Sequence, residues 1–152
     1  MTQGTILLFE ENAKALGDGE IDLSGATIKF GIVDDTITPT APDATPTWSD
    51  YSANEVSTAG GYPADGVQMT NVAFLEVDGI ATLQMDSFQL PKNAAGFTDA
   101  YWGIIYITGT DLALGFMDLG GPIQEDAATI KIRFNAAAVG ALGDVLTITV
   151  NP

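Results

Sequence analysis

Residues Ala100–Gly121 read AYWGIIYITGTDLALGFMDLGG, two apolar runs separated by Gly109-Thr110-Asp111. As a strand, the first run puts Tyr101, Gly103, Ile105 and Ile107 on one face. Trp102, Ile104, Tyr106 and Thr108 fall on the other. Neither face is polar, so this strand has to be covered on both sides rather than form one side of an exposed sheet. Gly109-Thr110-Asp111 has turn chemistry, and Leu112–Leu119 supplies a second apolar run. The sequence predicts a buried central β-hairpin.

Other segments follow the same logic. Gln68–Val77 and Ile80–Leu90 flank Asp78-Gly79, a strong signal for a two-residue type I′ hairpin. Thr27–Val33 reads as a strand, and Thr129–Phe134 sets Ile130 and Ile132 against Lys131 and Arg133, the half-buried pattern. Gly120-Gly121-Pro122 is expected to close the central hairpin, followed by an acidic loop over Ile123–Ala128. Ala136–Gly143 is expected to link to a last strand, Val145–Val150. At the start of the chain, Thr5 is placed to cap a short helix through Leu16, with Gly17 as its stop. The expected fold is mainly β, an antiparallel β-sandwich or barrel-like domain with a short N-terminal helix. Residues 1–152 form a single domain in this reading, with a long ordered loop over 34–66.

Composition narrows the chemistry. The 20 acidic residues stand against five cations (Lys14, Lys29, Lys92, Lys131 and Arg133), a net charge of −15. Binding nucleic acid requires cations that displace phosphate counterions, and an anionic membrane repels such a chain, so neither is an expected partner. With no histidine and no cysteine, the usual nucleophile–base pairs and thiolate metal sites are absent. A carboxylate pair could still serve a glycosidase, but with 20 acids some pair meets that spacing by chance. Asp18, Glu20, Asp22 and Asp34-Asp35 do not match a calcium loop and read as solvated turn residues. The Gly60-Gly61 and Gly120-Gly121 pairs lack the Lys-Ser or Lys-Thr of a phosphate loop. The expectation is a non-enzymatic protein with no metal and no cofactor. Near the N-terminus only Ile6–Phe9 is continuously apolar, too short for a secretory segment or a span, so the protein is expected to stay in the cytoplasm where it is made unless it leaves within an assembly.

Residues 34–66 are different in kind. They hold Pro39, Pro42, Pro46 and Pro63, yet also Trp48, Tyr51 and Tyr62, which are rare in disordered segments. Such aromatics either anchor an interface or fold back onto the domain's own core. Copies carrying −15 repel one another, so a close oligomer needs a contact free of charge at its centre. Between Thr36 and Trp48 the only acid is Asp43. The segment, with Trp48, Tyr51 and Tyr62 as anchors, is therefore the expected contact with a neighbouring subunit.

The order of the pieces adds a resemblance. A short N-terminal helix leads to Gly19-Glu20-Ile21-Asp22-Leu23 and then Thr27-Ile28-Lys29-Phe30-Gly31-Ile32-Val33. After a Thr/Pro-rich stretch come Trp48-Ser49-Asp50, Asn54-Glu55-Val56 and Gly60-Gly61-Tyr62-Pro63-Ala64. Tyr101-Trp102-Gly103-Ile104-Ile105-Tyr106, the Met117-Asp118-Leu119-Gly120 turn and the Thr129–Phe134 strand complete the pattern. This resembles a family of small tailed-bacteriophage virion structural proteins, capsid decoration or auxiliary head proteins among them. The resemblance implies a homo-oligomeric decoration (cement) subunit on the outer shell, bound to the major capsid protein or other virion subunits. It also implies a virion location after synthesis in the host cytoplasm. A tail or head-fibre component is the nearest alternative. A carbohydrate-binding β-sandwich, stacking sugars on Trp48, Tyr51 or Trp102, comes from the residues alone.

Overall fold

The computed structural model describes residues 4–134 and 142–149. In chain order its elements begin with β1 (Ile6–Leu8), α1 (Glu11–Gly17), β2 (Ile28–Val33), α2 (Trp48–Tyr51) and a 3₁₀ turn (Ser52–Asn54). Then come β3 (Val67–Gln68), β4 (Ala73–Val77), β5 (Ile80–Asp86) and β6 (Phe88–Leu90). The last four are β7 (Ala100–Ile107), β8 (Ala113–Ile123), β9 (Ile130–Ile132) and β10 (Leu142–Thr149). The fold is mainly β and antiparallel, a sandwich-like domain. One sheet has the order β1-β8-β7-β2-β3, a second β10-β5-β4, and β6 pairs with β9.

The central hairpin forms where the sequence predicts it. β7 lies between β2 and β8, and both of its faces are covered. On one face Ile105 and Ile107 join Ile28, Phe30 and Ile32 of β2 and Leu83 and Met85 of β5 in the main core. On the other face Ile104 and Tyr106 pack with Phe9, Trp48, Tyr51 and Phe116 in a second cluster. Two glycines make room for rings on this sheet. A Cβ on Gly103 would lie 2.0 Å from the Phe30 ring, and one on Gly31 would lie 2.2 Å from the Trp48 indole.

Asp78 and Gly79 both have positive φ, 53° and 80°, and Val77 faces Ile80, as a type I′ turn requires. The two flanking runs are each split between sheets, however. Val67–Gln68 pairs with β2, and the chain then crosses to the second sheet past Asn71, whose φ is 51°. The crossing is tied down by Asp86, whose Oδ2 accepts hydrogen bonds from Thr70 (2.8 Å) and Asn71 (2.7 Å). Likewise β5 ends at the buried Ser87, whose Oγ accepts from the Phe134 N–H (3.1 Å), and β6 leaves to pair with β9.

Three expectations are corrected or bounded. The N-terminal helix does not start at Thr5. Ile6–Leu8 is a strand on the open edge of β8, facing Met117, Phe116 and Gly115, and the helix begins at Glu11. The free N–H and C=O groups of that edge accept a strand, whereas a narrow apolar stripe gives a helix little to bury. Gly120-Gly121-Pro122 does not end the hairpin either. β8 runs on to Ile123, with Leu119–Pro122 bulging out between the Trp102–Asp118 and Ala100–Ile123 pairs. The last strand spans Leu142–Thr149; residues 136–141 of the expected linker, and Val150, lie outside the described residues.

Candidate interaction surface

The 34–66 segment is built to lie on the sheet. Leu112 bridges to Thr47, the Ala113 N–H donates to the Pro46 carbonyl (2.9 Å), and the Trp48 N–H donates to Asp111 O (2.8 Å). The Asp50 carboxylate accepts from the Thr47 N–H (2.9 Å) and hydroxyl (2.7 Å), closing the turn that starts α2. These bonds place Trp48 flat against Tyr106 and Tyr51 beside Phe9. Tyr62 enters the main core, where its oxygen accepts from the Ile32 N–H (2.9 Å) and its hydroxyl donates to Glu55 Oε1 (2.8 Å).

Trp48, Tyr51 and Tyr62 are 5%, 2% and 1% exposed. The expectation that they anchor a neighbouring subunit is therefore corrected. The second face of the central sheet is apolar, and the chain's own loop covers it at far lower entropic cost than a separate molecule. Desolvation raises the phenol pKa of Tyr51, Tyr62 and Tyr106 well above the ordinary value.

Three of the four exposed large apolar side chains among the described residues lie together on the β4–β5 hairpin, the fourth being Leu7 on β1. One face carries Phe74, Leu83 and Met85 into or against the main core. The opposite face presents Leu75, Val77 and Ile80, which are 51%, 67% and 42% exposed, around a shallow hollow completed by Asp78, Thr82 and Gln84. Phe74 and Glu76 share the first face of β4, while Ala73, Leu75 and Val77 make the second wholly apolar, and that apolar face is the one left uncovered among the described residues. β4 is also the edge of its sheet. The type I′ turn makes Val77–Ile80 a hydrogen-bonded pair, so Ala73, Leu75 and Val77 direct their backbone groups at β5. Phe74 and Glu76 direct theirs outward. The side chain of Glu76 turns back and accepts from the Gly79 N–H (2.6 Å).

The sequence reading did not single out this surface. Its signal was the run Ala73-Phe74-Leu75-Glu76-Val77, in which Ala73, Leu75 and Val77 make one wholly apolar face and Phe74 leaves the other half apolar.

Several charged groups elsewhere are engaged in local structure. Asp22 Oδ1 accepts from the Ser24 N–H (2.8 Å) and hydroxyl (2.6 Å), which lowers its pKa. Asp34 accepts from the Thr36 N–H (2.8 Å). The hydrogen bond from Lys14 to Asp18 raises the lysine pKa, with Glu20 and Glu11 adding to it. A cleft of about 440 Å³ lies between α1 and the β7–β8 turn, with Glu11, Glu20 and Asp22 in its wall. Among the described residues no three acidic side chains are grouped to hold a metal ion.

No protein-family model, curated protein or solved structure matches this chain.

Proposed function

We propose that this chain is a structural subunit of a protein assembly. In the tailed-phage reading suggested by its sequence resemblance, it is a capsid decoration subunit on the outer shell. The observation that carries this reading is the uncovered face of the β4–β5 hairpin, where Leu75, Val77 and Ile80 stand exposed together. Contiguous apolar surface on an otherwise acidic chain marks a site of protein contact. An acidic exterior also suits the outside of a shell better than contact with packaged DNA.

The sugar-binding alternative finds no platform in Trp48 or Tyr51, whose rings are packed inside the domain. A tail or head-fibre role differs from shell decoration chiefly in copy number. Quantitative mass spectrometry of purified particles from the source tests both. Copies on the scale of the capsid lattice support decoration, and copies on the scale of one vertex or tail ring support the alternative. A chain missing from the particles overturns the proposal.

A further inference from the structure

We infer that the β4 edge pairs with the β4 edge of a second copy of this chain. The pairing is antiparallel and two-fold, and makes one continuous sheet from the two β10-β5-β4 sheets. The inference rests on the interaction-surface reading above and names its occupant.

Phe74 and Glu76 point N–H and C=O groups to the open side of an edge strand, a ready template for another strand. Ala73–Val77 contains no lysine, no proline and no bulge in its pairing with β5, and its one charge, Glu76, is turned back to accept from the Gly79 N–H. Only residues with outward backbone groups can exchange hydrogen bonds across the new pair. Phe74 then faces the second copy's Glu76, and Glu76 the second copy's Phe74.

That register is favoured on three counts. It pairs the whole of β4, from Ala73 to Val77. A shift of two residues toward the N-terminus would run the pairing into Asn71, whose φ of 51° ends the extended conformation. A shift the other way would set Glu76 directly against its own copy, with like charges opposed. In the favoured register the outer face reads Ala73, Leu75, Val77 against Val77, Leu75, Ala73. The stripe is apolar along its whole length, so two-fold pairing with a copy sets an apolar side chain against an apolar one at every position of this face. Leu75 sits on the two-fold axis against itself.

The charge balance sets the conditions. Each copy carries −15, so long-range repulsion opposes the pairing, and the two Glu76 side chains lie diagonally across it on one face while the Ala73-Leu75-Val77 face is uncharged. Added salt shortens the range of that repulsion from ~30 Å at 0.01 M to ~3 Å at 1 M. Pairing should therefore strengthen with salt, the reverse of an interface held by ion pairs. A five-residue edge is small beside the ~1,200 Å² of a stable interface, so association depends on concentration.

The test uses the whole chain, which has no cysteine. Sedimentation velocity over a concentration series is expected to show a monomer–dimer equilibrium that shifts toward dimer as sodium chloride is raised. Leu75→Lys should raise the dimer dissociation constant about tenfold or more, with far-UV circular dichroism unchanged. Register is read by oxidation. Leu75→Cys should cross-link to its own copy, and Val77→Cys, whose neighbour across the pair is Ala73, should not. Three results would each overturn the inference: a monomer at every concentration and salt, a dimer indifferent to Leu75→Lys, or cross-linking of the Val77→Cys variant but not of the Leu75→Cys variant. Particle mass spectrometry reads the structural-subunit proposal separately. A monomeric chain found in particles removes only the pairing, and a dimer absent from particles removes only the virion role.

Discussion

The indole of Trp48 and the ring of Tyr106 stack with centroids 4.8 Å apart and planes 4° apart, directly over the bare backbone of Gly31. The contact joins the long loop to the central strand, and it decides what that loop does. With Trp48 only 5% exposed, Trp48→Ala is expected to cost about 3–5 kcal/mol of stability. Had the indole been an interface anchor, melting of the isolated subunit would scarcely change. Urea melts of parent and variant separate the two cases.

Gly31 provides the complementary experiment. A Cβ there would stand 2.2 Å from the Trp48 ring, so Gly31→Ala is expected to destabilise by about 1–3 kcal/mol through overpacking. In a Trp48→Ala background the obstruction is gone, and most of that penalty should disappear. A double-mutant cycle measures the coupling. Additive penalties would mean that the ring does not lie on Gly31.

The two hairpins should respond oppositely to truncation. Ile105 is 1% exposed on the central strand, and Ile105→Ala should cost about 2–5 kcal/mol through lost burial and a residual cavity. Leu75, at 51% exposed, belongs to the open face, and Leu75→Ala should change the melting of dilute protein by no more than about 0.5 kcal/mol. A large loss at Leu75 under dilute conditions would mean that the face is covered within the monomer.

This contrast also shows how far the sequence could be read. The β7–β8 hairpin and the Asp78-Gly79 turn were legible because local pattern and turn chemistry suffice to specify them. Ile6–Leu8 was not, since three apolar residues fit a helix or a strand and the free edge of β8 decides between them. The role of Trp48, Tyr51 and Tyr62 was equally non-local. The same aromatics suit an interface or a cover; for Trp48 and Tyr51 the outcome depends on the second face of the sheet having no other cover, and Tyr62 fills the main core instead. At β4 the usual half-buried pattern is inverted, since the wholly apolar Ala73-Leu75-Val77 face is the one left uncovered among the described residues and Phe74 packs inward beside Glu76.

Glu125 holds the far end of the long loop. It is fully buried, its Oε1 accepts from the Gly61 N–H (2.8 Å), and its backbone bonds to Phe97 O (2.8 Å) and the Asn93 N–H (3.1 Å). Its Oε2 has no hydrogen-bond partner among the described residues. Glu125→Ala strands the Gly61 amide and should cost about 1–3 kcal/mol from that loss alone. Glu125→Gln keeps an acceptor for that amide, so it should lie nearer the parent in stability than the alanine variant does. Hydrogen exchange at Gly61 should accelerate in the alanine variant only; equal protection in both would refute the staple.

Alkaline pH probes the tyrosines that the fold encloses. Burial raises the phenol pKa of Tyr51, Tyr62 and Tyr106, so the native state keeps protons that the unfolded chain releases above about pH 10. Below that pH both states are protonated and the stabilisation is fully present. Above it the native state binds more protons than the unfolded one, and unfolding free energy falls as pH rises toward the folded values. Tyr62, 1% exposed, contributes a slope of about 1.4 kcal/mol per pH unit by itself. Tyr62→Phe is expected to be less stable at neutral pH, because the Ile32 N–H loses its acceptor and Glu55 its donor. Its stability should nevertheless fall less steeply above pH 10, by about one proton's worth. Urea melts at stepped pH, read with tyrosinate absorbance, check both parts. Identical slopes in parent and variant would mean that the Tyr62 phenol ionises in the native state as freely as in the unfolded chain.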